Sequence, residues 1–195
     1  MNDPYEPGAF GGGIGYQLIT DRPDIVTISH DHDDHNYVAG FKNKFELVRA
    51  AKTVKGIEFR QVDSFHDTHG GHDRGTNRVF VFTVSGITIC HLGDLGHPLS
   101  DAQAQQIGQV DVLLIPVGGF YTIDHLQATD VVNKLKPAIV IPMHFKTDKC
   151  GFPIAEVVKF TQGKERVRQV GAVEIELTAG KLPGATEILV LNHRY

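Results

Sequence analysis

The sequence predicts an α/β or α+β fold, with a mixed sheet or sheets layered with helices. Three observations predict it. Short β-branched runs recur along the chain, a helix-periodic segment lies between two of them, and turn signals separate other neighbours closely enough for hairpins to mix with crossovers. The size agrees with this. A chain of 195 residues, 41% hydrophobic and 22% charged, is one domain spanning residues 1–195, and it buries roughly 70% of its unfolded surface without needing a disulfide scaffold.

Taken in order, Ile25 to Ser29 reads as the first strand, preceded by a flexible glycine loop at Gly11 to Gly13. The segment IEFRQV, from Ile57, reads as another strand. Arg78 to Val84 and Ile87 to Leu92 flank Ser85-Gly86, a hairpin signal. Ser100 and Gln103 form a capping box for a helix over DAQAQQI, with Gly108 placed to end it. Asp111 to Pro116 is the next strand. Leu126, Val132 and Leu135 then share one side of a helical wheel, capped by Asp124, and Pro137 stops that helix just before a strand at Ala138 to Pro142. This is a β-α-β unit. A helix around Ile154 to Thr161 follows, then strands at Val173 to Leu177 and Thr186 to Leu191 joined by a loop containing Gly and Pro.

The longest aliphatic runs, Val112 to Val117 and Ala138 to Met143, are far short of the ~20 apolar residues of a spanning helix. With no secretory signal at the start, the expectation is a cytoplasmic protein without a membrane partner. Cys90 and Cys150 form no CxxC pair, which suits bystander thiols in a reducing compartment. The net charge of −4 lacks the basic excess that phosphate contacts demand, so nucleic acid is disfavoured as a partner and a small molecule is the expected substrate. No G-x-S-x-G elbow, P-loop or dinucleotide fingerprint is present.

The chemistry is concentrated in the histidines, of which there are 11. The first strand runs into His30-Asp31-His32-Asp33-Asp34-His35, an H-x-H-x-D-H box. Imidazoles two apart on extended backbone point the same way, so His30 and His32 can grip one ion while Asp34 and His35 face a second. Further donors stand at strand ends: His66, Asp94 in the turn after ITICHL, and His144 after AIVIP. Layered α/β folds gather sites in this way. Spacing alone leaves His66, His69 and His72 in competition, because HDTHGGHD can offer any of them. His91 reads as a buried, hydrogen-bonded histidine, His125 and His193 as bystanders, and Asp31 and Asp33 as solvent-exposed.

Together with SFHD, RGTN, CHLGDLGH, PVGGFYTID and PMHFKT in that order, the box resembles the metallo-β-lactamase superfamily. Within it, the chain is most similar to the small stand-alone Zn-dependent hydrolases related to the ascorbate-6-phosphate lactonases. The resemblance covers nearly the whole chain. It implies a four-layer αββα sandwich with the metals at one edge between two sheets. His30, His32 and His66 would hold one metal, Asp34, His35 and His144 the other, and Asp94 would bridge them. The cofactors are then two divalent ions, zinc first, with Mn or Fe also compatible. Such a pair supplies hydroxide from a shared water whose pKa falls to near 7, with Asp34 and Asp94 as the catalytic carboxylates. The implied reaction is hydrolysis of a small anionic ester, lactone or phosphodiester. A nuclease or nucleotide phosphodiesterase, and a metal-binding module without turnover, are the alternatives.

The lack of Cys at the bridging position sets the chain apart from antibiotic-hydrolysing relatives, and His at position 32 from the di-iron branch. Substrate contacts are expected from Asn77, His97, Tyr121 and Lys146, with Asn36 nearby. Relatives of this branch begin with two further strands before an Asp-Pro element that stands here at Asp3-Pro4. The resemblance therefore implies a shortened start, or a misassigned start codon, that removes none of the seven ligands. A genuinely shortened start would expose a sheet edge, and the expectation is then either that two copies associate through it or that the start codon is misassigned.

Overall fold

The computed structural model describes all 195 residues. Strands β1 (Ile25–Thr27) and β2 (Glu46–Val48) form a small parallel sheet. Met1 to Asp3 lies along the other edge of β1, with Asn2 bridging Thr27 and the Asp3 amide donating to the Thr27 carbonyl. The second sheet has eight strands: β3 (Lys52–Val54), β4 (Ile57–Phe65), β5 (Thr76–Val84), β6 (Ile87–His91), β7 (Val112–Pro116), β8 (Ile139–Met143), β9 (Val167–Gln169) and β10 (Glu187–Val190). They are ordered β3-β4-β5-β6-β7-β8-β10-β9. The β3 to β6 stretch is antiparallel, and β6, β7, β8, β10 and β9 run parallel, so hairpins and crossovers do mix. Because β5 is antiparallel to both neighbours, β4 points the same way as β6, β7 and β8. Their carboxyl ends share one rim.

The helices are α1 (Ala9–Gly12), α2 (Asp101–Ile107), α3 (His125–Leu135) and α4 (Val157–Thr161). The first is a single irregular turn in which Phe10 and Gly11 have positive φ. Both α2 and α3 begin with complete capping boxes, Ser100 with Gln103 and Asp124 with Gln127, which satisfy amides that the first helical turn leaves without partners.

Alternation along the strands divides the core. Leu113 and Ile115 of β7 join a cluster of 21 buried residues that includes Ile107 of α2, Val131 and Leu135 of α3 and Phe160 of α4. Val112 points to the opposite face, where it packs with Ile87, Ile139 and Leu189. That face opens toward the small sheet across an apolar cleft of about 610 Å³, lined among others by Ile25, Phe82, Leu114 and Ile141.

Two expectations need correction, and three strands go unread in the sequence. Val173 to Leu177 is not a strand: Ile175 and Leu177 pack onto the face formed by Val112 and Ile139, so the alternation marks burial without sheet pairing. The helix expected from Ile154 begins at Val157. Strands β2, β3 and β9 lack a sequence assignment, although the two-residue turn Lys55-Gly56, at φ 48° and 78°, joins β3 to β4 in the same way as Ser85-Gly86, at 51° and 77°, joins β5 to β6.

Candidate metal centre

The rim formed by the carboxyl ends of β4, β6 and β8 carries His66, Asp94 and His144, and the segment after β1 brings in His30, His32, Asp34 and His35. Nitrogen and oxygen donors converge in two groups, His30 with His32 and His66, and Asp34 with His35, Asp94 and His144. Asp94 lies between them. Its Oδ2 is 3.1 Å from His66 Nε2, 3.2 Å from His35 Nε2, 3.4 Å from His144 Nε2 and 3.9 Å from His30 Nε2. The rings of His30 and His35 are 4.3 Å apart and those of His30 and His66 4.9 Å apart.

Glycines allow this convergence. A side chain at Gly96 would place its Cβ 2.2 Å from the His66 carbonyl carbon, and one at Gly93, at φ 55°, would meet Asn77 and Ser29 within 2.7 Å. The Asp94 turn can therefore close onto the other strand ends only with glycine on both sides. His144 itself sits at φ 50°, a left-handed backbone that a non-glycine residue adopts at a cost of roughly 1–2 kcal/mol.

The imidazoles of His30 and His35 are held from behind. The Ser29 hydroxyl donates to Asp3, so it accepts from His30 Nδ1 at 2.9 Å and leaves Nε2 bare and facing inward. Asp3 Oδ2 also meets His35 Nδ1 at 3.1 Å, and its Oδ1 accepts the Ser29 amide. The electrostatics suit cations. Burial and the nearby His35 push His30 down to about 3, so it is a neutral donor at ordinary pH. Burial opposes charge on His35, but Asp94, Asp3 and Asp34 outweigh it and raise that imidazole well above its usual range. For Asp94, burial is outweighed by His144 and His35, and the carboxyl stays ionised. The field at this point therefore stabilises positive charge. His30 Nε2 and Asp94 Oδ1 are buried without hydrogen-bond partners, a cost that metal coordination would remove. The donor set fits a divalent metal.

The sequence of residues 1–144 matches the family described as the beta-lactamase superfamily domain. The chain belongs to that superfamily. Among solved structures, a Zn-dependent hydrolase of the metallo-β-lactamase superfamily from Thermotoga maritima is 36% identical with a TM-score of 0.78, over 98% of this chain and 88% of that one. The metallo hydrolase Igni18 of Ignicoccus hospitalis is 26% identical with a TM-score of 0.52, over 71% and 70% of the two chains. A UPF0173 metal-dependent hydrolase of Thermococcus kodakarensis is 30% identical over 144 residues, which are 71% of this chain and 64% of that relative's length. The fold is thus the metallo-β-lactamase sandwich, built here with one large and one small sheet.

The same geometry separates the competing histidines of this superfamily chain. His66 is buried among the donors, whereas His69 and His72 are exposed and bond to Asp73. His91 is buried and accepts from the Gly93 amide. Of the expected substrate contacts, Tyr121 lines the cavity over the donors. The other three are engaged elsewhere. Asn77 is buried and accepts the Asp94 amide while donating to Ser64 and the Leu92 carbonyl, so it braces the turn rather than facing substrate. His97 accepts from the Phe65 amide and bonds the Pro98 carbonyl, and Lys146 Nζ donates to the Phe152 carbonyl. Sequence reasoning missed Asp3 as the buried anchor of Ser29 and His35, and Arg74, Phe10 and Phe152 as cavity walls. Only the Asp3-Pro4 pair and the RGTN segment carried any signal for them.

Proposed function

We propose that this chain is a metal-dependent hydrolase that uses two divalent ions, zinc first and Mn or Fe as alternatives, on a small anionic ester, lactone or phosphodiester. The observation that carries the reading is Asp94 Oδ2, ionised and surrounded by four imidazole Nε2 atoms within 3.9 Å. His30, His32 and His66 would hold one ion, Asp34, His35 and His144 the second, and Asp94 would serve both. When bound, the ions supply a water acidified toward neutral pH and a Lewis acid for the carbonyl or phosphoryl oxygen.

The chain's own groups do the rest. Asp3 and Ser29 keep His35 and His30 in the tautomers whose Nε2 atoms face inward. Asp34 is kept ionised: burial works against it, but the hydrogen bond from His35 prevails, so its carboxylate lines the cavity as an acceptor that would help hold a metal and orient a water by hydrogen bonding. Tyr121, Phe10 and Phe152 shield the reacting atoms from bulk water. The cavity of about 210 Å³ is smaller than the roughly 300–1,000 Å³ typical of pockets for drug-sized ligands, which favours a small substrate over a polynucleotide.

The test is elemental analysis of protein purified without added metal or chelator, paired with a hydrolysis screen of generic lactones and phosphodiesters. Two equivalents of metal with turnover are expected. Absence of metal after reconstitution with Zn or Mn would overturn the proposal, and bound metal with no turnover would favour the non-catalytic module.

A further inference from the structure

The cavity above the donors has one cationic wall that the metal ligands do not use. Arg74 is the single Lys or Arg among its lining residues, beside Phe10, Tyr121 and Phe152. Elsewhere, Arg49, Arg168 and Arg194 each pair with a carboxylate, and Arg60 and Arg78 donate to backbone carbonyls. The Arg74 guanidinium instead lies 5.5 Å from the centre of the Tyr121 ring, with its hydrogen-bonding fork unclaimed by any carboxylate.

Its position is built into the fold. The buried Asp67 carboxylate accepts four backbone amides, those of His69, Gly71, Asp73 and Arg74, and so ties the loop around itself. The next residue along, Gly75, accepts the amide of His66 through its carbonyl, which links the backbone beside Arg74 directly to a metal-ligand candidate. Such a loop fixes the backbone of Arg74 before any ligand arrives, which lowers the ordering cost of binding.

Beside the cation, starting from the ring it lies against, runs a continuous aromatic row. Tyr121 and Phe152 have ring centres 5.6 Å apart, and Phe152 and Phe10 5.5 Å apart. Phe10 is 54% exposed although it faces the cavity mouth, so a bound ligand would bury apolar surface that the protein leaves open. Lys146 fixes the Phe152 end by donating to its carbonyl at 2.9 Å.

We infer that Arg74 is the recognition residue for a carboxylate or phosphate group on the substrate that is separate from the bond being cleaved, while Phe10, Tyr121 and Phe152 take its apolar body. The substrate class is then a small ester or lactone with an anionic tail. The inference rests on the hydrolase reading for its kinetic test, and a direct binding test separates the two.

The kinetic probe is a pair of 4-nitrophenyl esters that differ only where a terminal carboxylate replaces a methyl group, the glutarate monoester and the pentanoate, assayed on metal-loaded protein. The wild type should show a KM for the glutarate ester about tenfold or more below that for the pentanoate, the range expected of a charge-assisted bidentate contact. Arg74→Ala should erase that difference while metal content stays unchanged, and Arg74→Lys should restore part of it. No preference in the wild type, or a preference that survives Arg74→Ala, would overturn the inference. If neither ester is cleaved, the hydrolase reading suffers and the binding arm decides. Glutarate titrated calorimetrically into wild-type and Arg74→Ala protein of equal metal content should then lose about tenfold in affinity, and equal affinities would assign the anion to the metals and overturn the role of Arg74.

Discussion

Segments 30–35 and 66–73 each carry three histidines, with three and two aspartates respectively, and each follows a strand. In the first, all three imidazoles turn inward to the neighbourhood of Asp94 or one another. In the second only His66 does, and His69 and His72 face solvent beside Asp73. The difference lies in what the aspartates bind. Asp34 stays within the donor group, whereas Asp67 spends its carboxylate on four backbone amides; burial works against its charge, but those bonds prevail and hold it down to about 2. That curls the second loop and turns its later histidines outward. A dense run of donors becomes a site only where the backbone points them at a common partner.

The largest effect expected is at the shared partner. Asp94→Ala should release at least one metal and abolish turnover, measured by elemental analysis and a hydrolysis assay; full activity with both metals would remove Asp94 from its central place. His66→Ala should also lose metal, while His69→Ala and His72→Ala keep it. The reverse result would invert the comparison between the two ends of the second loop.

Next comes the anchor behind the first segment. Asp3→Ala removes the carboxylate that holds Ser29 and His35, and metal affinity should fall about 10–100-fold in a competition titration with a chelating dye. An unchanged affinity would show that the box orients itself without help. In the second loop, Asp67→Ala should speed hydrogen exchange at the amides of His69, Gly71, Asp73 and Arg74 about tenfold or more, because their acceptor is gone. Exchange that stays slow would assign the loop's order to its glycine turns.

The smallest effect is a titration. Hydrogen bonding and charge from Asp73 raise His69 and His72, so the protonated form is favoured in the folded chain. The associated stabilisation is fully present below the ordinary histidine value and disappears as pH rises through the raised one. Asp73→Asn should move both NMR titration midpoints back toward about 6.5 without changing metal content. Midpoints that do not move would break the pairing.

Local chemistry was legible in the sequence. The H-x-H-x-D-H box, the capping box at Ser100, the helix cap at Asp124 and the Ser85-Gly86 hairpin all follow from short-range backbone geometry, and the structure contains each of them. The resemblance in ordered motifs extended that reading to the sandwich fold. Where residues met only through distant chain segments, the sequence offered less. Asn77 reads as a polar residue near the site, yet its partners lie on β4 and in the turn after β6, and they make it a brace. Lys146 reads as a cation for substrate, yet the Phe152 carbonyl claims it and Arg74 occupies the cavity wall.

The sequence by itself determined which donors exist and which of them are spaced to act together, because side-chain direction along a strand or turn repeats over two to four residues. Only the tertiary structure decided that His66 rather than His69 or His72 reaches Asp94, that Asp3 stands behind His35, and that Val173 to Leu177 covers a sheet without joining it. Those outcomes depend on which loop arrives opposite which strand end, and no local periodicity encodes an encounter between segments that lie 30 or more residues apart, as Asp3 and His35 do.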